Sequence, residues 1–116
     1  MGIDDSLRQE VARRARDKRR RQSLFTATEP CDWRPRQVLH PAAGVPFTDA
    51  GAWNFIADLL ESGQEVKTKR LDRPAGQIGY VMVVKGHREC PEIYIKVTLS
   101  RNMINGRSFH DSEFDI

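Results

Sequence analysis

The chain has 116 residues, of which 39% are hydrophobic and 30% are charged, and its formal net charge at pH 7 is +3. This length allows one compact domain and excludes large enzymes and two-domain nucleotide-binding folds. No apolar stretch approaches the roughly 20 residues that cross a bilayer, and the N-terminus lacks the apolar segment of a secretory signal. The sequence therefore predicts a cytoplasmic protein with no membrane partner. A small nuclease, a binding module and a regulatory partner remain as function classes.

Positive charge is concentrated at the N-terminus. Residues 1–24 hold eight basic and four acidic residues, a net charge of +4, so residues 25–116 must sum to −1 for the whole chain to reach +3. Good helix formers without Gly or Pro predict a helix over 5–24, although its apolar stripe is too narrow for a deep core face. We expect residues 1–24 to form a basic arm, helical or disordered. It is either a solvated tail or a segment that contacts RNA phosphates or a partner through Arg19, Arg20 and Arg21.

Prolines separate this arm from the rest of the chain. Four of them between residues 30 and 46 prevent a regular helix or a central strand, which predicts a Pro-rich linker over 25–46. Residues 47–116 then form the predicted α+β domain.

One helix and four strands are predicted within that domain. The helix begins at Thr48 or Asp49 and ends at Gly63, with apolar residues at helical spacing between them. Strands are predicted over 65–71, 78–85, 92–100 and 103–110, with a turn over 72–76. This order indicates a small, curved antiparallel sheet packed on one main helix.

The metal-ligating residue types are dispersed. Cys31 and Cys90 lie far apart and are interpreted as free thiols, and the three histidines make no pattern with them at ligand spacing. The sequence predicts no metal and no cofactor.

Two groups of polar residues on the predicted strands are candidates for a binding or catalytic site. Lys67, Lys69 and Arg70 crowd an edge strand, where two ammonium groups on one face would approach one phosphate, or where lysines simply block aggregation. Tyr94 and Lys96 lie on the polar face of a strand whose other face is aliphatic. They are candidates for binding a base and a phosphate, with an ordinary half-exposed sheet surface as the alternative.

A third group lies near the end of the chain, where Arg107, Ser108 and His110 bring a cation, a hydroxyl and an imidazole. If Leu99 pairs with Met103, the register places Tyr94 opposite Ser108, with His110 on the same face about 7–8 Å away. Arg107 then faces away from this group. A competing hairpin that turns at Asn105-Gly106 would remove this pairing.

These residues also suggest a family. The arrangement GAWNFIADLLESG–EVK, a central strand, IYIKV and then RSFHDSE resembles MqsR-like toxins of bacterial type II toxin–antitoxin modules over residues 47–114. The resemblance implies a RelE-like ribonuclease fold, an endoribonuclease that cleaves mRNA without a metal, and a cognate antitoxin as partner. The family's strand tyrosine matches Tyr94, its lysine after the helix matches Lys67 or Lys69, and its C-terminal cation matches His110.

The mechanism that this resemblance implies uses the ribose 2′-OH as the nucleophile. A base removes its proton, an acid protonates the leaving 5′-oxygen, and cations neutralise the phosphorane. His110 would act as acid or base, Tyr94 would stack on a base or assist proton transfer, and Lys67 and Lys96, with Lys69 and Arg70, would supply charge. The alternatives are a non-enzymatic nucleic-acid- or protein-binding module that uses the arm, and a toxin whose arm docks the antitoxin.

Overall fold

A computed structural model describes residues 3–23, 32–71 and 76–112. Within them the chain is α+β, with two helices and a mixed sheet of six strands. In chain order the elements are α1 (Asp5–Arg16), β1 (Arg21–Gln22), β2 (Asp32–Trp33), a 3-10 turn (Pro35–Gln37), α2 (Asp49–Glu61), β3 (Lys67–Arg70), β4 (Ile78–Val84), β5 (Ile93–Ser100) and β6 (Met103–Asp111). Cys31 and most of the turn predicted over 72–76 lie outside the described residues.

The helix α2 begins and ends close to the predicted residues. The Thr48 hydroxyl accepts a hydrogen bond from the Gly51 N–H at 2.9 Å, which satisfies a backbone donor that the first turn leaves unpaired. Gly63 follows the helix with a φ of 90°, a conformation that costs glycine little. Both end signals of this helix are therefore confirmed.

The helix α1 is shorter than predicted and more deeply packed. It ends at Arg16, and Val11 and Ala15 are completely buried against the rest of the core. The expectation of a stripe too narrow for the core is wrong, because alanine at positions 12 and 15 allows α1 to approach α2 closely. The Arg16 guanidinium ties the helices together through Asp58 Oδ1 at 2.6 Å and Glu61 Oε1 at 2.8 Å.

The sheet has the order β1-β6-β5-β4-β3, and β2 also pairs with β6. Strands β3 to β6 pair antiparallel with their neighbours, as predicted. The two short strands β1 and β2 pair parallel with β6 and make the sheet mixed. The C-terminal strand β6 therefore lies inside the sheet and not at its edge.

One apolar cluster joins both helices to one face of the sheet. Phe109 is completely buried near its centre, with ring centroids 5.1 Å from Phe47 and 5.4 Å from Trp33. Side chains alternate along the strands, so the opposite face carries a different set, which we call the polar face. Its members include Lys67, Lys69, Tyr94, Lys96, Ser108 and His110. In the part of the chain that the structure describes, no helix combines the length and apolarity needed to cross a membrane.

Candidate functional site

The turn between β5 and β6 sets the register of the candidate site. Ser100 pairs with Met103 across a turn at residues 101 and 102, and the pairing continues to Val97 opposite Gly106. The predicted pairing of Leu99 with Met103 is therefore wrong by one residue. The competing hairpin at residues 105 and 106 is also wrong, because both residues lie within β6.

A β-bulge then changes the register between β5 and β6. The register shifts between Lys96 and Val97, so that Lys96 pairs with Ser108 and Tyr94 pairs with His110. Arg107 is the extra residue of this β-bulge, a feature that redirects side chains. The predicted pairing of Tyr94 with Ser108 is wrong, but the prediction that Tyr94 and His110 share a face is confirmed.

Tyr94 and His110 form a ring stack on the polar face. Their ring centroids are 5.5 Å apart and their planes are inclined by 21°. Burial raises the pKa of the Tyr94 phenol, so the hydroxyl keeps its proton and acts as a hydrogen-bond donor. The direct pairing thus brings a donor and an imidazole together at the start of β5 and the end of β6.

Both ring nitrogens of His110 face an oxygen. Nδ1 lies 2.7 Å from the backbone carbonyl of Asp111, and Nε2 lies 3.4 Å from Oδ2 of Asp32. A carbonyl oxygen only accepts hydrogen bonds, so Nδ1 carries a hydrogen in this arrangement. Nε2 is then the nitrogen that faces the Asp32 carboxylate.

Asp32 is the residue of this site that sequence reasoning missed. The parallel pairing of β2 with β6 sets Asp32 beside Ser108, while Trp33 turns to the core and covers Gly106. Arg34 holds the other carboxylate oxygen of Asp32 through its Nε at 2.5 Å. A two-residue strand has no periodicity, so the signal that placed Tyr94 did not exist for Asp32.

Lys96 lies at the centre of a group of cations. Burial lowers its pKa, and the positive charges of Lys69 and Arg107 lower it further. Its aliphatic stem passes over Gly79, where an added Cβ would lie 3.3 Å from Lys96 Cδ. Arg107 is 4% exposed and its Nη2 lies 3.4 Å from Gln77 Oε1. The bulge therefore brings Arg107 beside Lys96, contrary to the expectation that Arg107 faces away.

The other predicted site residues divide into two groups. Lys67 and Lys69 are exposed and share the face of Lys96, because they pair with Val81 and Gly79. Arg70 is exposed too, but alternation directs it to the opposite face. Of these three cations, Lys69 is the one whose charge acts on Lys96.

The predicted RNA-contacting arginines of the arm lie elsewhere. Arg21 donates to the Ala15 carbonyl at 2.9 Å, and Arg20 Nε lies 3.3 Å from Asp17. Arg19 is exposed. These residues lie near the start of β6, whereas His110 lies near its end, so the structure does not bring them to the Tyr94–His110 stack.

Two cavities differ in their relation to the site. One of about 150 Å³ adjoins His110 and is lined by Arg34, Gln37, Val38, His110 and Asp111. Burial raises the pKa of Asp111 while the charge of His110 opposes this change. A larger cleft of about 620 Å³ is formed by α1 and the end of α2, away from the polar face. The small cavity thus leaves space beside the imidazole.

Among the described residues, no three His, Cys, Asp or Glu side chains converge so as to hold a metal ion. The one described cysteine, Cys90, is exposed. That the chain uses no metal and no cofactor stays a prediction from the sequence.

Comparison of this chain with family models, with curated proteins and with solved structures finds no match.

Proposed function

We propose that this chain is a metal-independent endoribonuclease that cleaves mRNA, with a RelE-like fold, and that it is the toxin of a type II toxin–antitoxin pair. The observation that carries the proposal is the contact between Tyr94 and His110 on the polar face, next to the cations around Lys96. An imidazole, a phenol and a group of cations are the parts that RNA cleavage by the 2′-OH requires. The resemblance of residues 47–114 to MqsR-like toxins points to the same chemistry.

In this mechanism His110 is the general base. Its Nε2 lone pair removes the proton of the ribose 2′-OH, and the 2′-oxygen forms a bond to the adjacent phosphorus. The resulting imidazolium faces the Asp32 carboxylate 3.4 Å away, which stabilises the new positive charge. Asp32 thus acts through His110 as a positioning residue.

Lys96 is the general acid. Its lowered pKa makes the ammonium a better proton donor than an ordinary lysine, and that proton passes to the leaving 5′-oxygen. The bond from phosphorus to this oxygen breaks, which leaves a 2′,3′-cyclic phosphate and a free 5′-hydroxyl. Lys69 and Arg107 offset the negative charge that develops on the phosphorane, with Lys67 further along the edge strand. DNA lacks the attacking hydroxyl and is not a substrate.

The test compares cleavage of single-stranded RNA by the wild-type chain and by His110→Ala. Loss of a general base reduces the rate by about 10²–10⁴-fold. His87→Ala is the matched control, because His87 contacts the Pro41 carbonyl in another loop. Full cleavage by His110→Ala would remove the centre of the proposal. Induction of both chains in bacteria tests the toxin role, with growth arrest and mRNA loss expected for the wild type alone.

The alternative of a binding module built on the N-terminal arm receives little support from the helical part of that arm. All four cations of α1 have partners within the fold. Arg13 and Arg14 pair with Glu10, Arg16 pairs with Asp58 and Glu61, and Arg8 donates to backbone carbonyls of residues 60 and 64. A cation that is paired within the fold contributes little to a partner.

A further inference from the structure

The parallel pairing of β1 with β6 brings two turns to one end of the sheet. Residues that precede parallel strands lie at the same end, so the turn at 18–20 lies beside the turn at 101 and 102. The Ile104 N–H donates to the Arg20 carbonyl at 2.7 Å, and Arg14 Nη1 donates to the Met103 carbonyl at 3.0 Å. We call the group formed by Lys18, Arg19, Arg20 and Arg101 the basic end.

Three of these four cations keep an unneutralised charge. Lys18, Arg19 and Arg101 are exposed, and none of them pairs with an acidic residue in the described ranges. Arg20 alone has such a partner, Asp17. Three uncompensated positive charges at one end of a small domain attract polyanions.

Arg101 has an unusual backbone for its residue type. Its φ is 50°, in the left-handed region where glycine and asparagine are preferred. Arg88 shares this conformation with a φ of 51°, but it lies in the loop between β4 and β5, at the opposite end of β5. Arg88 and Arg101 are therefore two exposed arginines of the same backbone conformation at opposite ends of β5, and Arg88 can serve as the control for Arg101.

A polar network links β1, β6 and β5 next to the basic end. Gln22 Nε2 donates to Asn105 Oδ1 at 2.8 Å, and Asn105 Nδ2 donates to Thr98 Oγ1 at 3.2 Å and to Ser100 Oγ at 3.1 Å. Ser100 is six residues from Tyr94 along β5, a distance of about 20 Å at 3.3 Å per residue. On this face β5 carries the polar residues Tyr94, Lys96, Thr98 and Ser100 over a length that suits a few nucleotides.

We infer that the basic end is a second anion site, which holds backbone phosphates of the same single-stranded RNA at some distance from the cleaved bond. This inference rests on the proposed function, because it assigns the partner of the basic end from the substrate of the polar face. Lysine and arginine at exposed turns bind phosphates without reading the sequence. The site therefore adds affinity and salt dependence and leaves base preference unchanged.

The test measures binding of a fluorescent oligo-dU of about 12 nucleotides, which lacks the attacking hydroxyl and stays intact. Affinity is followed between about 50 and 200 mM KCl for the wild type and for a combined Lys18→Ala, Arg19→Ala, Arg101→Ala variant. Each single-strand phosphate contact contributes about 0.7 to the slope of log K against log salt, so the slope should fall by about 2. The affinity at 0.1 M salt should fall by about 10- to 100-fold.

Two single variants control this measurement. Arg101→Gly removes the charge and fits a positive φ, so its weaker binding would not come from a damaged fold. Arg88→Ala removes an exposed arginine of the same conformation at the other end and should bind as the wild type does. Equal losses at residues 88 and 101 would overturn the inference, because they would show a general effect of net charge.

A second substrate separates this inference from the proposed function. A dinucleotide of RNA reaches only the Tyr94–His110 end, so the combined variant should cleave it at the wild-type rate. If the wild type cleaves no RNA but the combined variant still lowers the salt slope of oligo-dU binding by about 2, the nuclease is refuted and the anion site stands. If the combined variant binds oligo-dU normally but no longer binds polyglutamate, the basic end holds an acidic protein segment and the inference is overturned.

Discussion

Lys96 should contribute to function at a cost to stability. Replacing Lys96 with methionine removes a half-buried ammonium whose pKa is lowered by burial and by the charges of Lys69 and Arg107. The apolar stem that passes over Gly79 is kept in methionine. We therefore expect Lys96→Met to unfold at a higher denaturant concentration than the wild type and to lose RNA cleavage.

The size of this stabilisation follows from the surroundings of Lys96. A like-charged neighbour at a partly exposed position costs about 0.3 kcal/mol, so two of them cost about 0.6 kcal/mol. Partial desolvation of the ammonium, reduced by solvent screening, raises the total to about 1 kcal/mol. For a chain of this length that corresponds to a rise in Tm of about 3–5 °C.

The pH dependence of the stability gain in Lys96→Met shows whether the charge of Lys96 is its cause. Since the folded pKa of Lys96 lies below its ordinary value of 10.5, the folded state disfavours the proton, and the penalty is fully present at neutral pH. It disappears as the pH rises past 10.5, where the ammonium loses its proton in both states. Urea unfolding at pH 7 and near pH 11 should therefore show a gain for Lys96→Met only at pH 7.

Lys67→Met is the matched control for this prediction. Lys67 lies on the same face but is exposed on the edge strand β3, so its replacement should change the free energy of unfolding by less than about 0.5 kcal/mol at either pH. A destabilised Lys96→Met chain, or one whose gain persists at high pH, would refute the electrostatic argument.

Three further outcomes are expected. Gly106→Ala should cost about 1–3 kcal/mol in urea unfolding, because its Cβ would lie 2.6 Å from the Trp33 ring; an unchanged midpoint would contradict this close approach. Asp32→Asn should slow RNA cleavage about tenfold without changing the thermal unfolding midpoint, since it removes the charge beside His110; an unchanged rate would remove Asp32 from the mechanism. Glu61→Gln should destabilise the chain at neutral pH, where the lowered pKa of Glu61 gives its charged form an advantage. That difference should shrink as the pH falls below about 4.5 and vanish once the pH is below the lowered pKa of Glu61, and a difference that persists in stronger acid would exclude the carboxylate as its source.

The elements that sequence analysis located are those with long periodic patterns. The helix α2 has apolar residues at helical spacing and a capping residue at each end, and β5 alternates over its 8 residues. The same alternation placed Tyr94 and Lys96 on one face, whereas His110 was placed there through a pairing that the structure shifts by one residue and corrects through the bulge. Local chemistry dictates such features, so the sequence alone predicts them.

Features that depend on distant partners were not predicted. The strands β1 and β2 have 2 residues each and exist only because β6 pairs with them. Asp32 enters the site through that pairing, and Arg107 enters it through the bulge. The burial of α1 depends on small residues that allow it to pack closely against α2. Such packing depends on side-chain size, so a hydrophobic pattern does not predict it. These contacts link segments far apart in sequence, where periodicity gives no information.

The parallel pairing of the N-terminal strands with β6 has a consequence for folding during synthesis. Gln22 and Asn105 are 83 residues apart, and the ring of His110 meets Asp32 across a similar interval. Contacts of such separation close late and slow the folding reaction, because a long loop must be ordered before they form. During synthesis α1, β1 and β2 leave the ribosome first. Until β6 follows, β1 and β2 lack the strand with which they pair. The contacts of His110 with Asp32 and Tyr94 are therefore among the last features to assemble, and a chain that lacks β6 lacks the proposed site.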